Sequence, residues 1–293
     1  MNISVSLVHK LIIEQFPQWK HLSIKPVPLS GWDNRTFRLG NTMSIRLPSA
    51  QCYAEKVEKE QKWLPILAPH LSFRIPTPIA MGKPSKLYPF NWSIYQWIEG
   101  ESANTCDLND QQLQPIAVQL AQFLNELHTI DSTGGLEPGP HNFYRGLSPS
   151  VYNAETRSAI TQLKNIINTD VVTLVWEKAL SSRWNNKSVW IHGDFSAGNI
   201  LLKDNQVVAI IDFGGMGIGD PACDLVISWT FLKNESRKLF RQHIQLDGDT
   251  WDRARGWALW KALITMVTVK DKNIMEVEKQ MQIINAIVQE HNS

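Results

Sequence analysis

Near the start of the chain Val5, Val8, Leu11, Ile12 and Phe16 recur at near-helical spacing and Pro17 closes the run, which predicts one amphipathic helix. The period then falls to two. Alternation in HLSIKPVPL, NRTFRLG and TMSIRLP, broken by SGWD and GN, predicts an antiparallel meander with a tight hairpin turn at Gly40-Asn41. A helix from about Tyr53 to Leu67 follows. Pro76, Pro78 and Pro84 punctuate a strand near Pro78 to Met81, and the apolar run WSIYQWI reads as a buried strand ending at Glu99-Gly100.

From Asp110 the character changes, because LQPIAVQLAQFLNELH is a strong helix pattern and most later apolar runs keep helical spacing. The stretch GGLEPGPHNFYRGLSP, rich in Gly and Pro, predicts an ordered loop anchored by His141, Phe143 and Tyr144. Asp247-Gly248-Asp249 marks a loop before a helix that carries Trp251, Trp257 and Trp260. The 293 residues exceed most single cores, which stop growing near about 250 residues. The fold class expected is therefore α+β with two lobes, a sheet lobe over residues 1–97 and a mainly helical lobe over 98–293.

Composition narrows the partners more than the fold. With 43% hydrophobic and 19% charged residues the chain is an ordinary globular sequence, and a net charge of +1 with interleaved acids and bases argues against a dedicated nucleic-acid binder. No run of about eighteen apolar residues occurs, and His9, Lys10 and Glu14 interrupt the N-terminus, so neither a membrane span nor a signal peptide is expected. Cys52, Cys106 and Cys223 lie far apart, which fits a reducing cytoplasm and no thiolate metal site. Twelve tryptophans are many for this length, and burial explains them better than stacking on a flat ligand. Nothing in the sequence marks an oligomeric state.

The chemistry concentrates in VWIHGDFSAGNILLKDNQVVAIIDFGGMGIGDPACDL. Its layout is a strand, a polar loop, a short strand, a turn at Asp204-Asn205 and a third strand ending on a carboxylate. Asp194 precedes Asn199 by five positions and Asp212 follows Asn199 by thirteen, so one hairpin brings all three to a common site. Phosphoryl transfer needs such a set: a carboxylate to orient the attacking hydroxyl and accept its proton, and oxygen ligands that hold Mg2+ against the phosphates. Asp194 suits the first role, Asn199 and Asp212 the second.

His192-Gly193-Asp194 through Asn199, followed by Asp212-Phe213-Gly214, resembles the HxDxxxxN loop and metal-binding triplet of the protein-kinase-like superfamily. The HGD form and the later GDPACDL, Gly219 to Leu225, look like its aminoglycoside phosphotransferase and choline kinase branch. That resemblance implies a bilobal protein-kinase-like fold and an ATP- or GTP-dependent, Mg2+-using kinase of a small hydroxylated acceptor, cationic acceptors included. It implies loop support from His192 and scaffold roles for Asp220 and Asp224. With no long segment between Phe213-Gly214 and GDPACDL, no regulatory phosphorylation is needed.

The N-terminal half matches by position. Ser30, Gly31 and Asn34 in LSGWDNRTFRLG stand where a nucleotide-covering hairpin presents backbone N–H groups to phosphates, although no GxGxxG occurs. Where the family carries a lysine on the next strand, this chain has Arg46, which keeps the charge and adds a planar fork. Glu60 matches the glutamate that pairs with that cation, with Glu55 and Glu58 as neighbours. Gln96 to Ile98 match the linker whose backbone holds the purine, and His128 closes the first helix of the second lobe. For the acceptor, Glu235, Asp247, Asp249, Asp252, Trp251 and Trp257 are open alternatives. An aminoglycoside-type antibiotic or a host metabolite such as an amino alcohol or sugar would fit, and so would two other classes: a pseudokinase that binds nucleotide without transfer, and a hydrolase with His192, Asp194 and Asp212 as metal ligands.

Overall fold

The computed structural model describes residues 3–28, 33–270 and 272–291. Helix α1 (Val5–Gln15) starts at the Ser4 cap and buries Val8, Leu11 and Ile12. Strands β1 (Ile24–Pro26), β2 (Asn34–Leu39) and β3 (Met43–Pro48) form the expected meander, with Leu39 opposite Met43 and Gly40 turning at φ +57°. Helix α2 (Gln51–Leu67) intervenes before β4 (Pro78–Gly82) and β5 (Trp92–Gln96), which complete an antiparallel sheet in the order β1-β2-β3-β5-β4. Phe37, Leu39, Ile45, Leu47, Trp92 and Ile94 meet α1 in a small core of their own.

The rest is mainly helical. Strand β6 (Glu101–Ser102) leads to α3 (Asp110–Thr129), which opens with an Asn109–Gln112 capping box. Helices α4 (Asn153–Gln162) and α5 (Thr169–Leu180) precede β7 (Val189–Ile191), β8 (Ile200–Lys203), β9 (Gln206–Ile210) and β10 (Gly217–Gly219). These short strands form two small sheets, β6-β8-β9 and β10-β7. Helices α6 (Ile227–Thr230), α7 (Asn234–His243), α8 (Gly248–Val269) and α9 (Ile274–His291) finish the chain. The architecture is thus the bilobal α+β one. Among the described residues no helix is long and apolar enough to cross a membrane.

Two boundaries differ from the pattern reading. The strand VVAIID stops at Ile210 rather than on its carboxylate, because Asp212 adopts the left-handed conformation at φ +64°. WSIYQWI leaves the sheet at Gln96. Helix α2 carries Trp63, Leu64 and Leu67 into the large core, where Trp63 meets Trp190 at 4.8 Å. Trp63, Trp92, Trp176, Trp190, Trp229, Trp251, Trp257 and Trp260 are all buried, as expected of structural tryptophans.

Helix α8 runs through the middle of the large lobe and is buried on nearly every side. Its Arg253, 1% exposed, is held by Asp220 of the GDPACDL segment at 2.6 Å and by Ser182 and Thr250 at 3.0 Å. Burial pushes the Asp220 carboxyl above its ordinary range against the pull of Arg253. Removing one member of such a pair strands the other charge, which costs about 3–5 kcal/mol. Arg253→Met is therefore expected to lower urea-unfolding stability by about 3–5 kcal/mol, and Arg253→Met/Asp220→Ala to recover part of it; a double variant worse than the single one would contradict this origin.

Candidate active site

Strand β7 delivers His192, Gly193 and Asp194 to the cleft, and three contacts fix the loop from behind. The carboxylate of Asp224, fully buried, accepts from the N–H groups of His192 at 2.6 Å and Gly193 at 2.8 Å. Burial raises its pKa, while those two N–H groups draw it back. Arg145, lying over Trp257 and Trp260 at 4.9 and 5.2 Å, donates Nε–H to the Gly193 carbonyl at 3.2 Å. Gly193 is required by space as well as by its φ of +78°, because an added Cβ would stand 2.1 Å from the Gly215 carbonyl.

His192 uses both ring nitrogens inside the fold. Nδ1 accepts from the Asp194 N–H at 3.2 Å, so Nε2 carries the proton and donates to the Ile211 carbonyl at 3.0 Å. It therefore braces the Asp194 loop against the segment before Asp212 and offers no lone pair to a metal, which removes the ligand set of the hydrolase reading.

Asp194 itself is exposed to the cleft. Asn199 donates Nδ2–H to the Asp194 carbonyl at 2.9 Å and to its Oδ2 at 3.0 Å, so Asn199 Oδ1 remains as an acceptor for a cation. The Ile211 N–H bonds the Asn199 carbonyl at 2.8 Å, which sets the Asp212 segment beside Asn199. The available donors are hard oxygens of one amide and one carboxylate. Among the described residues no group of three or more His, Cys, Asp or Glu side chains forms a complete cage. That chemistry fits Mg2+, which takes one or two protein ligands and fills its octahedron with phosphates and water.

Arg46 crosses from the sheet to this site. Its Nη2 meets Asp212 Oδ1 at 3.0 Å and its Nη1 lies 3.5 Å from Glu60 Oε1 on α2. Burial opposes the guanidinium charge, but Glu60 and Asp212 outweigh it and hold Arg46 protonated. Asp212 is pushed up by its place in the cleft, yet Arg46 brings its carboxyl below the usual range. The Tyr95 hydroxyl donates to the other Glu60 oxygen at 2.5 Å. Glu60 is thus the helix glutamate the geometry selects; Glu58 instead accepts from Asn91, and Glu55 is exposed.

The remaining expected positions fall as follows. Ser30 and Gly31 lie outside the described residues. Asn34, at the start of β2, lines a small cavity with Arg46, Lys56, Asp212 and Gly214. The N–H groups of Gln96 and Trp97 donate to the Thr77 and Thr42 carbonyls at 2.9 and 2.8 Å, so neither is open to a ligand. His128 is packed away, its pKa lowered by burial to about 4. Of the acceptor alternatives, Asp252 is paired with Arg255 at 2.6 Å, Asp247 caps α8, Glu235 pairs with Lys238, and Trp251 and Trp257 are core. Sequence reasoning missed Lys56 and Lys59 on α2 and Arg145 behind the loop. The i, i+4 relation of Lys56 to Glu60 was the one available signal.

Comparison with known proteins agrees with this geometry. A model of the phosphotransferase enzyme family matches residues 23–257. The aminoglycoside 3′-phosphotransferase of Acinetobacter baumannii is 24% identical over 253 residues, 80% of this chain and 92% of its own. Among solved structures, the GDP and kanamycin complex of APH(2″)-IIIa has a TM-score of 0.72 at 19% identity, over 98% of this chain and 99% of that one. The macrolide 2′-phosphotransferase MphH of Brachybacterium faecium follows with 0.63 at 18%, over 96% and 97%.

Lys59, 7% exposed, spans from α2 to the loop after Asp212 and donates to the carbonyls of Gly214 at 2.6 Å and Met216 at 3.1 Å. Burial lowers its pKa from 10.5 to about 8. The folded state then binds its proton less tightly than the unfolded one, so stability falls as pH drops from about 10.5 through 8. Lys59→Met lacks this dependence. Its stability relative to wild type is expected to improve by about 2–3 kcal/mol between pH 10 and pH 7 in denaturant titrations; parallel curves would refute the shift.

Proposed function

The chain belongs to the phosphotransferase enzyme family, and from that premise we propose that it moves the terminal phosphoryl group of ATP or GTP to a hydroxyl of a small molecule, an aminoglycoside-type antibiotic first among acceptors. The observation that carries this is the pairing of Arg46 with both Glu60 and Asp212, beside the Asp194–Asn199 loop. A cation from the sheet, a glutamate from the packed helix and a carboxylate from the second lobe converge as phosphoryl transfer requires.

In the proposed reaction Asp194, exposed and oriented by Asn199, aligns the acceptor hydroxyl and takes its proton as the new O–P bond forms and the bond from the terminal phosphorus to the β,γ-bridging oxygen breaks, the nucleoside diphosphate leaving. Arg46 steadies the phosphates while Glu60 and Tyr95 hold its position. Asn199 Oδ1 and the Asp212 carboxylate would hold Mg2+, whose charge offsets that of the phosphates. The Ile98 N–H and the backbone from Gln96 would receive the purine, and Asn34, with Ser30 and Gly31, would cover the phosphates. The division into a nucleotide lobe at 1–97 and a catalytic and acceptor lobe at 98–293 is part of the same proposal.

A less polar acceptor is the second reading. Leu136, Phe143, Tyr144, Leu147 and Val151 are exposed in the stretch that carries Arg145, which bonds the catalytic loop. Apolar surface of that kind suits a macrolide better than a polycation. One structural neighbour is a complex with kanamycin and another is a macrolide phosphotransferase, so both kinds of acceptor belong in a screen.

With Mg-ATP or Mg-GTP at a hundred times its dissociation constant, unfolding should be delayed by about 2.7 kcal/mol, and EDTA should remove most of that gain. Asp194→Ala is expected to lose at least about 100-fold in kcat with nucleotide binding retained. Asp212→Ala should weaken Mg-nucleotide binding itself. Unchanged turnover in Asp194→Ala would overturn the assignment.

A further inference from the structure

Helix α2 carries a second cation into the same cleft. Lys56 stands one turn before Glu60, lines the cavity with Asn34, Arg46, Asp212 and Gly214, and is only 13% exposed. Its ammonium pairs with the carboxylate of Asp33, the residue immediately before β2. It also lies 5.6 Å from the Phe143 ring of the large lobe, and its stem runs beside Gly214, where an added Cβ would come within 3.0 Å of Lys56 Cδ. Its charge is felt at Asp212, whose carboxyl it helps to hold down.

Arg46 can steady the phosphates only with the part of its fork that its carboxylate partners leave open. Its Nη2 is hydrogen-bonded to Asp212 Oδ1 at 3.0 Å, and its Nη1 faces Glu60 Oε1 at 3.5 Å as a charge contact. A lysine at that position would be a point charge with freedom to turn; the guanidinium is planar and already shared between two carboxylates. The triphosphate brings more negative charge than Asp33 and needs a cation that can leave its partner. A partly exposed lysine–aspartate pair contributes little to stability and is easily exchanged.

We propose that Lys56 is a phosphate-contacting residue of the transfer reaction, released from Asp33 to the terminal phosphates when the nucleotide binds. Asp33 is its placeholder in the nucleotide-free protein. This rests on the nucleotide-binding reading given above and deepens it.

The sign of two variants separates this role from a structural ion pair. Calorimetric titration of the full chain with Mg2+ and the β,γ-imido analogues of ATP and GTP, and with ADP and GDP, supplies the readout. Lys56→Met should weaken binding of the imido triphosphate about 10-fold or more, with the diphosphate changed by less than about 3-fold, because a charge-assisted bond to the terminal phosphate is lost. Lys56→Arg should restore most of the difference. Asp33→Asn should tighten the triphosphate, since Lys56 no longer has to leave a carboxylate. If Lys56→Met and Asp33→Asn weaken binding alike, or neither changes it while wild type binds, the proposal is wrong and the nucleotide site stands. Wild type that binds none of the four nucleotides would remove the underlying reading as well.

Discussion

The guanidinium of Arg46 is the constraint on which the site depends, because it is the charge that joins the sheet to helix α2 and to the segment after β9. Each partner is awkward alone. Glu60 is 5% exposed, and an unpaired carboxylate there would be costly; Asp212 sits in a left-handed backbone conformation that gives no hydrogen-bonded strand to hold it. The fork relieves both at once, which a lysine ammonium does less directionally. Tyr95 then fixes the far oxygen of Glu60, so the chain Tyr95–Glu60–Arg46–Asp212 runs from the buried face of β5 to the mouth of the cleft.

A second set of contacts makes the Asp194 loop rigid without using Asp194. Asp224 takes the N–H groups of His192 and Gly193, His192 bonds Ile211, and Gly193 packs against Gly215. The last two join the segment before Asp194 to the segment around Asp212, and the first anchors it to the GDPACDL segment. Asp194 and the Asp212 segment are thereby tied through one network, and a shift of one displaces the other. Such support from buried neighbours is what keeps a reacting geometry within the tolerance that transfer requires.

Legibility followed how local each feature was. The meander, the α3 helix and the HGD-to-DFG window could be read because period, turn residues and spacing are properties of adjacent positions. The i, i+4 helix face held Glu60, yet nothing in VEKEQKWLPIL separates it from Glu55 and Glu58. Only the tertiary contact with Arg46 does so. Lys59 would pass in the sequence for a solvated helix charge, and its burial depends on the carbonyls of Gly214 and Met216, some 155 residues away. Two of the acidic acceptor alternatives, Asp247 and Asp252, prove to be engaged for the converse reason: they looked free until α8 was seen to use one as its cap and the other as a partner for Arg255.

Helix α2 is held in place by packing as well as by charge. In a bilobal kinase-like fold the pairing of the helix glutamate with the strand cation is the step that regulation can withhold. Here Trp63, Leu64 and Leu67 of α2 are part of the large core, and Lys59 is bonded to the loop after Asp212. Swinging α2 away would expose that apolar surface and strand a buried lysine, so the state with Glu60 on Arg46 is favoured by packing alone. The link from Phe213 to the Asp220 turn is short, and Lys59 ties its start to α2.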